Sequence, residues 1–222
     1  MAVSVLNAWS GQTAGSPDSA SLTISAGSNR CLVLVYFSEV SSFTYTSITV
    51  GGVAPTGTSI DENSSSTDNK TWSWYWDEAA IASMSGSTVA LTKTGTPSKH
   101  DYDYAVFQGA AGGAEFGTTV ESGSTDTIAP TTASASTSSD WIVVTNNRSS
   151  ANRDIQSYDS LTQEWQFNTD YTISIADGAG GDDTETMTGD GIADDWLAQI
   201  LHIKAGGSGM LARMLTEGQM NG

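Results

Sequence analysis

The chain has 222 residues, 23 of them glycine and one cysteine, with 8 Lys plus Arg against 25 Asp plus Glu and a formal charge of −17. That balance argues against binding nucleic acid, which takes clustered Lys and Arg, and against anionic membrane surfaces. No apolar run approaches the ~20 residues needed to cross a bilayer, and the single cysteine, Cys31, rules out an intramolecular disulfide.

From the N-terminus, "MAVSVLNAWSGQ" suggests a strand around Val3, Val5 and Trp9. It has no basic n-region, no apolar stretch of about 7–15 residues and no small-residue cleavage site, so the expectation is synthesis in a cytosol without a secretory signal. Next, "SLTIS" and "RCLVLVYF" predict two strands joined by the turn-forming "AGSN". "FTYTSITVGGVAPTG" alternates at Ile48 and Val50 until Gly51-Gly52 breaks the run. "KTWSWYWDEA", "STVALTKTG", "DYDYAVFQGA", "SDWIVVTN", "EWQFNTDYTISIAD" and "DDWLAQILHIKAG" continue the strand pattern. One short helix is expected, in "DEAAIASM". Ser122 to Ser139 reads as a loop followed by a Thr/Ser-rich edge strand.

Strands of five to eight residues punctuated by Gly, Asn, Asp and Ser predict an all-β protein, an antiparallel β-sandwich or barrel. The near-continuous apolar runs "CLVLVYF" and "WLAQILHI" predict inner strands buried on both faces. One domain is expected over residues 1–204, with Cys31 a small buried hydrophobe in its core. Residues 205–209, "AGGSG", form a flexible spacer. Residues 210–222, "MLARMLTEGQMNG", place Met210, Leu211, Met214 and Leu215 at helical spacing, an amphipathic stripe too short to stand alone in water. The expectation is a docking tail, since methionine adapts to irregular grooves.

In order, "AGSNRCLVLVYF", "ITVGGVAPT", "WYWDEAAI…GSTVALT", "YAVFQGA", "DWIVVT" and "WLAQILHIKAG" resemble a β-sandwich module recurrent in bacteriophage structural proteins and bacterial surface proteins. The resemblance spans about Ser21 to Gly206 and rests on pattern and strand order. It implies a jelly-roll or Ig-like sandwich with no catalytic residues. The Asp-rich segment near Asp182 and the methionine tail depart from it.

Trp72, Trp74 and Trp76 share one strand face by period two. Exposed, they would stack sugar rings; the expectation is that Trp74 and Trp76 face the core, with Trp72 at the rim. "DGAGGDDTET" (Asp177, Asp182, Asp183, Glu185) and "GDGIADDW" (Asp190, Asp194, Asp195) are acidic enough to suggest calcium, but the EF-hand spacing is not met. They are read as solvated loops. His202 shares a face with Trp196 and Ile200 and is read as structural, while His100 lies in a loop-like entry to a strand. Asp101 and Asp103 share one side of a strand, a pattern common on solvated faces. No Gly-x-Ser-x-Gly elbow, His-Glu-x-x-His or P-loop occurs.

These readings predict a non-enzyme with no cofactor and no metal: a virion structural protein of a bacteriophage, made in the host cytoplasm, serving as capsid decoration or as a fibre or spike component. Its expected partners are other virion proteins and its own copies, with neither nucleic acid nor membrane. The alternative is a carbohydrate-binding or adhesin module for a host glycan, with Trp72, Tyr102 and Tyr158 as stacking residues.

Overall fold

The computed structural model describes residues 1–10, 15–39, 44–62, 69–95, 99–148, 157–168, 172–191 and 194–206. The chain runs through β1 (Ser4–Asn7), β2 (Cys31–Glu39), β3 (Thr44–Val50), β4 (Gly57–Glu62) and β5 (Asn69–Trp76) to a short helix, α1 (Glu78–Ala82). It continues through β6 (Val89–Thr94), β7 (Lys99–Gln108), β8 (Gly113–Thr125), β9 (Thr127–Ile128) and β10 (Trp141–Arg148). The last strands are β11 (Ser157–Tyr158), β12 (Thr162–Asn168), β13 (Thr172–Ala179), β14 (Met187–Thr188) and β15 (Asp194–Lys204). The protein is all-β, as its alternation predicts, and its ladders are antiparallel.

Two five-stranded sheets carry the structure, ordered β1-β7-β2-β5-β4 and β12-β13-β10-β15-β8. A pair β3-β6 and a small sheet β11-β14-β9 complete it. Side-chain alternation sends each strand of a large sheet into two different cores. Along β2, Cys31, Val33, Val35 and Phe37 meet Val143, Ile175, Leu201 and Ile203 of the other large sheet. The intervening Leu32, Leu34 and Tyr36 join Trp72, Trp74 and Trp76 under Ile48, Val50, Val89 and Leu91 of the β3-β6 pair. On the far side, Ile142, Val144, Trp196, Ala198 and Ile200 are covered by Ile128 and Met187 of the small sheet.

Three cores thus separate four layers, which explains why "CLVLVYF" and "WLAQILHI" are apolar nearly throughout. Each lies inside its sheet and is covered on both faces. The shared core is not purely apolar: Ser73 donates to Gln199 Oε1 across it at 2.5 Å. Cys31 is buried, and burial pushes its thiol well above the usual range.

Local chemistry closes the ends. Asp77 caps α1 by accepting from the Ala80 N–H at 2.9 Å, and Ile81 is buried in the outer core. A five-residue helix has little stability of its own; Glu78 ties it down through Arg30, taking both its backbone N–H and its guanidinium.

Two predicted elements differ. "SLTIS" is not a strand: it joins the sheet system through the single bridge Ser21–Thr88, and Leu22 reaches the outer core beside it. Ser122 to Ser139 does not begin as a loop, because the long β15 offers β8 a partner as far as Asp194–Thr125. β8 is the edge strand, and the chain then folds back over it. Gly117 permits that approach, since a Cβ there would run into the Thr131 carbonyl oxygen.

Candidate functional site

The first strands of the two large sheets, β1 and β12, border a cleft of about 370 Å³. Its lining includes Val5, Trp9, Trp141, Thr162, Glu164 and Asp177. Both bordering strands are irregular at this point. The β1 register shifts between Val5 and Asn7, and the β12 register shifts between Gln163 and Trp165, which makes Glu164 the extra residue. A bulge of this kind bends an edge strand and re-aims a side chain.

Aromatic packing forms one wall. Phe107, closed in the shared core, meets Trp9 edge-on at 6.2 Å and Trp141 at 6.3 Å. Trp72, Trp74, Trp76 and Trp196 are at most 2% exposed, whereas Trp9 and Trp141 keep part of their surface open.

Two carboxylates bind the N-terminal arm that carries Trp9. The Trp9 indole N–H donates to Asp177 Oδ2 at 2.6 Å. The Ser10 N–H donates to Asp103 Oδ1 at 2.7 Å, which also accepts from the Tyr104 N–H. Asp103 Oδ2 is buried without a hydrogen-bond partner. Burial pushes the Asp103 carboxyl up to about 7, against the pull of the Tyr104 and Ser10 amides. Burial likewise pushes Asp177 up to about 6; the Trp9 N–H opposes this, and the charge of Glu164 adds to it.

Both acids correct the solvated reading. Asp101 and Asp103 are 1% and 0% exposed, because their face of β7 looks into the space between the sheets. Asp177 lies inside β13, and Glu185 is buried while accepting from Ser160 N and Oγ. Asp182 and Asp183 are exposed, as expected of a loop.

A second polar group gathers where β8, β15 and the segment before β10 converge. His202 is 1% exposed, with Nε2 3.3 Å from Asp140 Oδ2 and Nδ1 3.6 Å from Glu115 Oε1. Ser134 Oγ lies 3.4 Å from His202 Nδ1 but donates its proton to Glu115, which Lys204 also contacts at 2.6 Å. A serine nucleophile must hand its proton to the imidazole. Here that proton points at a carboxylate. Asp140 takes amide protons from Ala205 and Thr137, and these, with the Thr137 hydroxyl and His202, outweigh its burial and hold its carboxyl below the usual range. The group pins loops together.

The proposed stacking residues do not converge. Trp72 is 2% exposed rather than at the rim, packed against Tyr36 at 5.6 Å beneath Tyr45, so it presents no face to a sugar. Tyr102 is half-buried against the same outer core. Tyr158 belongs to the opposite core, bonds Ser174 Oγ at 2.7 Å, and its phenol is raised by burial. Met210, Leu211, Met214 and Leu215 lie outside the described residues. Sequence reading missed the Trp9–Trp141 cleft; its one signal was a bulky Trp9 just after a short strand.

The fold defines an all-β protein of stacked antiparallel sheets. No protein-family model, no curated protein and no solved structure matches the chain.

Proposed function

We propose that this chain is a non-enzymatic structural protein of a bacteriophage virion, a capsid decoration or a fibre or spike component, whose paired sheets form a β-sandwich of jelly-roll type. The observation that supports this reading is the coverage of both large sheets by the chain's own outer layers. Among the described residues Met1 and Val5 are the large hydrophobics left exposed. A unit closed in this way, without a disulfide and carrying a charge of −17, remains soluble at the high local density of a particle surface. It would join other virion proteins or its own copies through the 210–222 tail.

Quantitative mass spectrometry of purified particles tests the reading. Many copies per particle support decoration, and a few support a fibre or spike. Absence from the particle overturns the proposal. In the second reading, an adhesin, sugar stacking would have to use the open indoles of Trp9 and Trp141 in place of Trp72.

A further inference from the structure

We propose that the cleft between β1 and β12 is a binding site for a small organic cation, a primary or quaternary ammonium group held between the indoles of Trp9 and Trp141 and the carboxylates of Asp177 and Glu164. The inference is independent of the virion reading.

Its size comes first. At about 370 Å³ the cleft falls within the range of small-ligand sites. Its walls then select the charge. Among the described residues no Lys or Arg lines the cleft, while two carboxylates do. Asp177 is 3% exposed and the donors that favour its charged form, the indole N–H groups of Trp9 and Trp141, are neutral. When ionised it is a buried anion without a counter-charge, and Glu164 nearby makes its ionisation harder still. Burying an unpaired charge is costly, so a cation entering here relieves a penalty that a neutral ligand leaves in place. An anionic sugar would add to it.

The aromatic wall points the same way. A cation over an indole face is attracted by the ring quadrupole, and aromatic cages recognise quaternary ammonium groups through that attraction. Trp9 and Trp141 are the tryptophans in the described cores that keep open surface, and both border this cleft. The bulge that puts Glu164 out of register completes the arrangement at an edge strand, where no neighbouring strand blocks entry.

The test titrates the full chain with choline chloride, glucosamine and glucose at pH 7 and constant ionic strength, read by tryptophan fluorescence and calorimetry. Choline and glucosamine are expected to bind saturably, with glucose, of the same ring size but uncharged, at least tenfold weaker. Glu164→Gln, at an exposed position, should weaken choline at least threefold with the melting temperature unchanged, while Asp18→Asn on the outer layer leaves affinity unchanged. Choline affinity should fall as pH drops below 6. Glucose binding as well as glucosamine overturns the proposal, as does choline that fails to saturate. Equal losses in Glu164→Gln and Asp18→Asn also overturn it, because they would report only the protein's overall charge.

Discussion

Trp9 donates its indole N–H to Asp177 Oδ2 at 2.6 Å, joining positions 168 apart in the chain. The contact ties the N-terminal arm, whose β1 belongs to one large sheet, to β13 of the other. Its neighbour Ser10 repeats the device on Asp103, so two consecutive residues each donate to a buried acid, one on each sheet. The arm therefore acts as a clasp across the gap between the sheets.

Trp9→Phe keeps most of the ring and removes the donor. A hydrogen bond to a charged or partly charged group contributes ~1.5–3 kcal/mol, so urea unfolding should show a loss of about 1–3 kcal/mol at pH 7. The Asp177 carboxyl, now without that proton donor, should titrate above its present value of about 6 in a carboxyl NMR experiment. A variant with unchanged stability and unchanged titration would show that the clasp carries no energy.

Stability should depend on pH in an unusual direction. Asp103 and Asp177 titrate at about 7 and about 6 in the folded chain, above the ordinary aspartate value. The folded protein therefore holds protons that the unfolded chain releases. Their contribution is complete below pH ~4 and is lost as pH rises through 6 and 7. Glu78, Glu115 and Asp140 have lowered values and act oppositely only in the acid range. The unfolding free energy should thus be at least ~2 kcal/mol greater at pH 5 than at pH 8. Asp103→Asn, neutral at both, should flatten the curve; a curve that rises from pH 5 to pH 8 in the parent protein refutes the placement.

Leu34 is fully buried beneath the β3-β6 pair at the centre of its sheet. Leu34→Asp would bury an unpaired carboxylate at a cost of several kcal/mol, on the order of the whole stability of a domain. The expected outcome is insoluble expression. A soluble variant that melts cooperatively would contradict the described core.

Deleting Ser208 to Gly222 separates the tail from the sheets. The docking reading predicts an unchanged melting temperature together with loss of incorporation into the particle or oligomer. A lower melting temperature would instead mean that the tail covers its own sheets, and retention of both properties would remove it from any role in assembly.

Much of the fold is legible in the residues themselves. Period-two alternation marks most of the strands, because successive side chains must take opposite faces of a sheet. The unbroken apolar runs at Cys31–Phe37 and Trp196–Ile203 identify inner strands, because both faces of each are covered. Asp77 ahead of "EAAIA" announces a capped helix. Alternation, however, assigns a residue to a face without saying what covers that face. Asp101 and Asp103 have the spacing of a solvated edge, yet their face of β7 looks into the shared core. The tryptophan row at 72, 74 and 76 fits an open platform equally well, until the β3-β6 pair lies over it. "SLTIS" has strand composition, yet its surroundings leave it one bridge. Beyond the bulky Trp9 after a short strand, the clasp to Asp177 and the cleft beside it have no local signature, because they join distant segments and the cleft is bordered by register shifts in both β1 and β12. Local sequence thus determined most of the strands and which of them run through the interior, while the stacking of layers decided which polar side chains are buried and which indoles remain open.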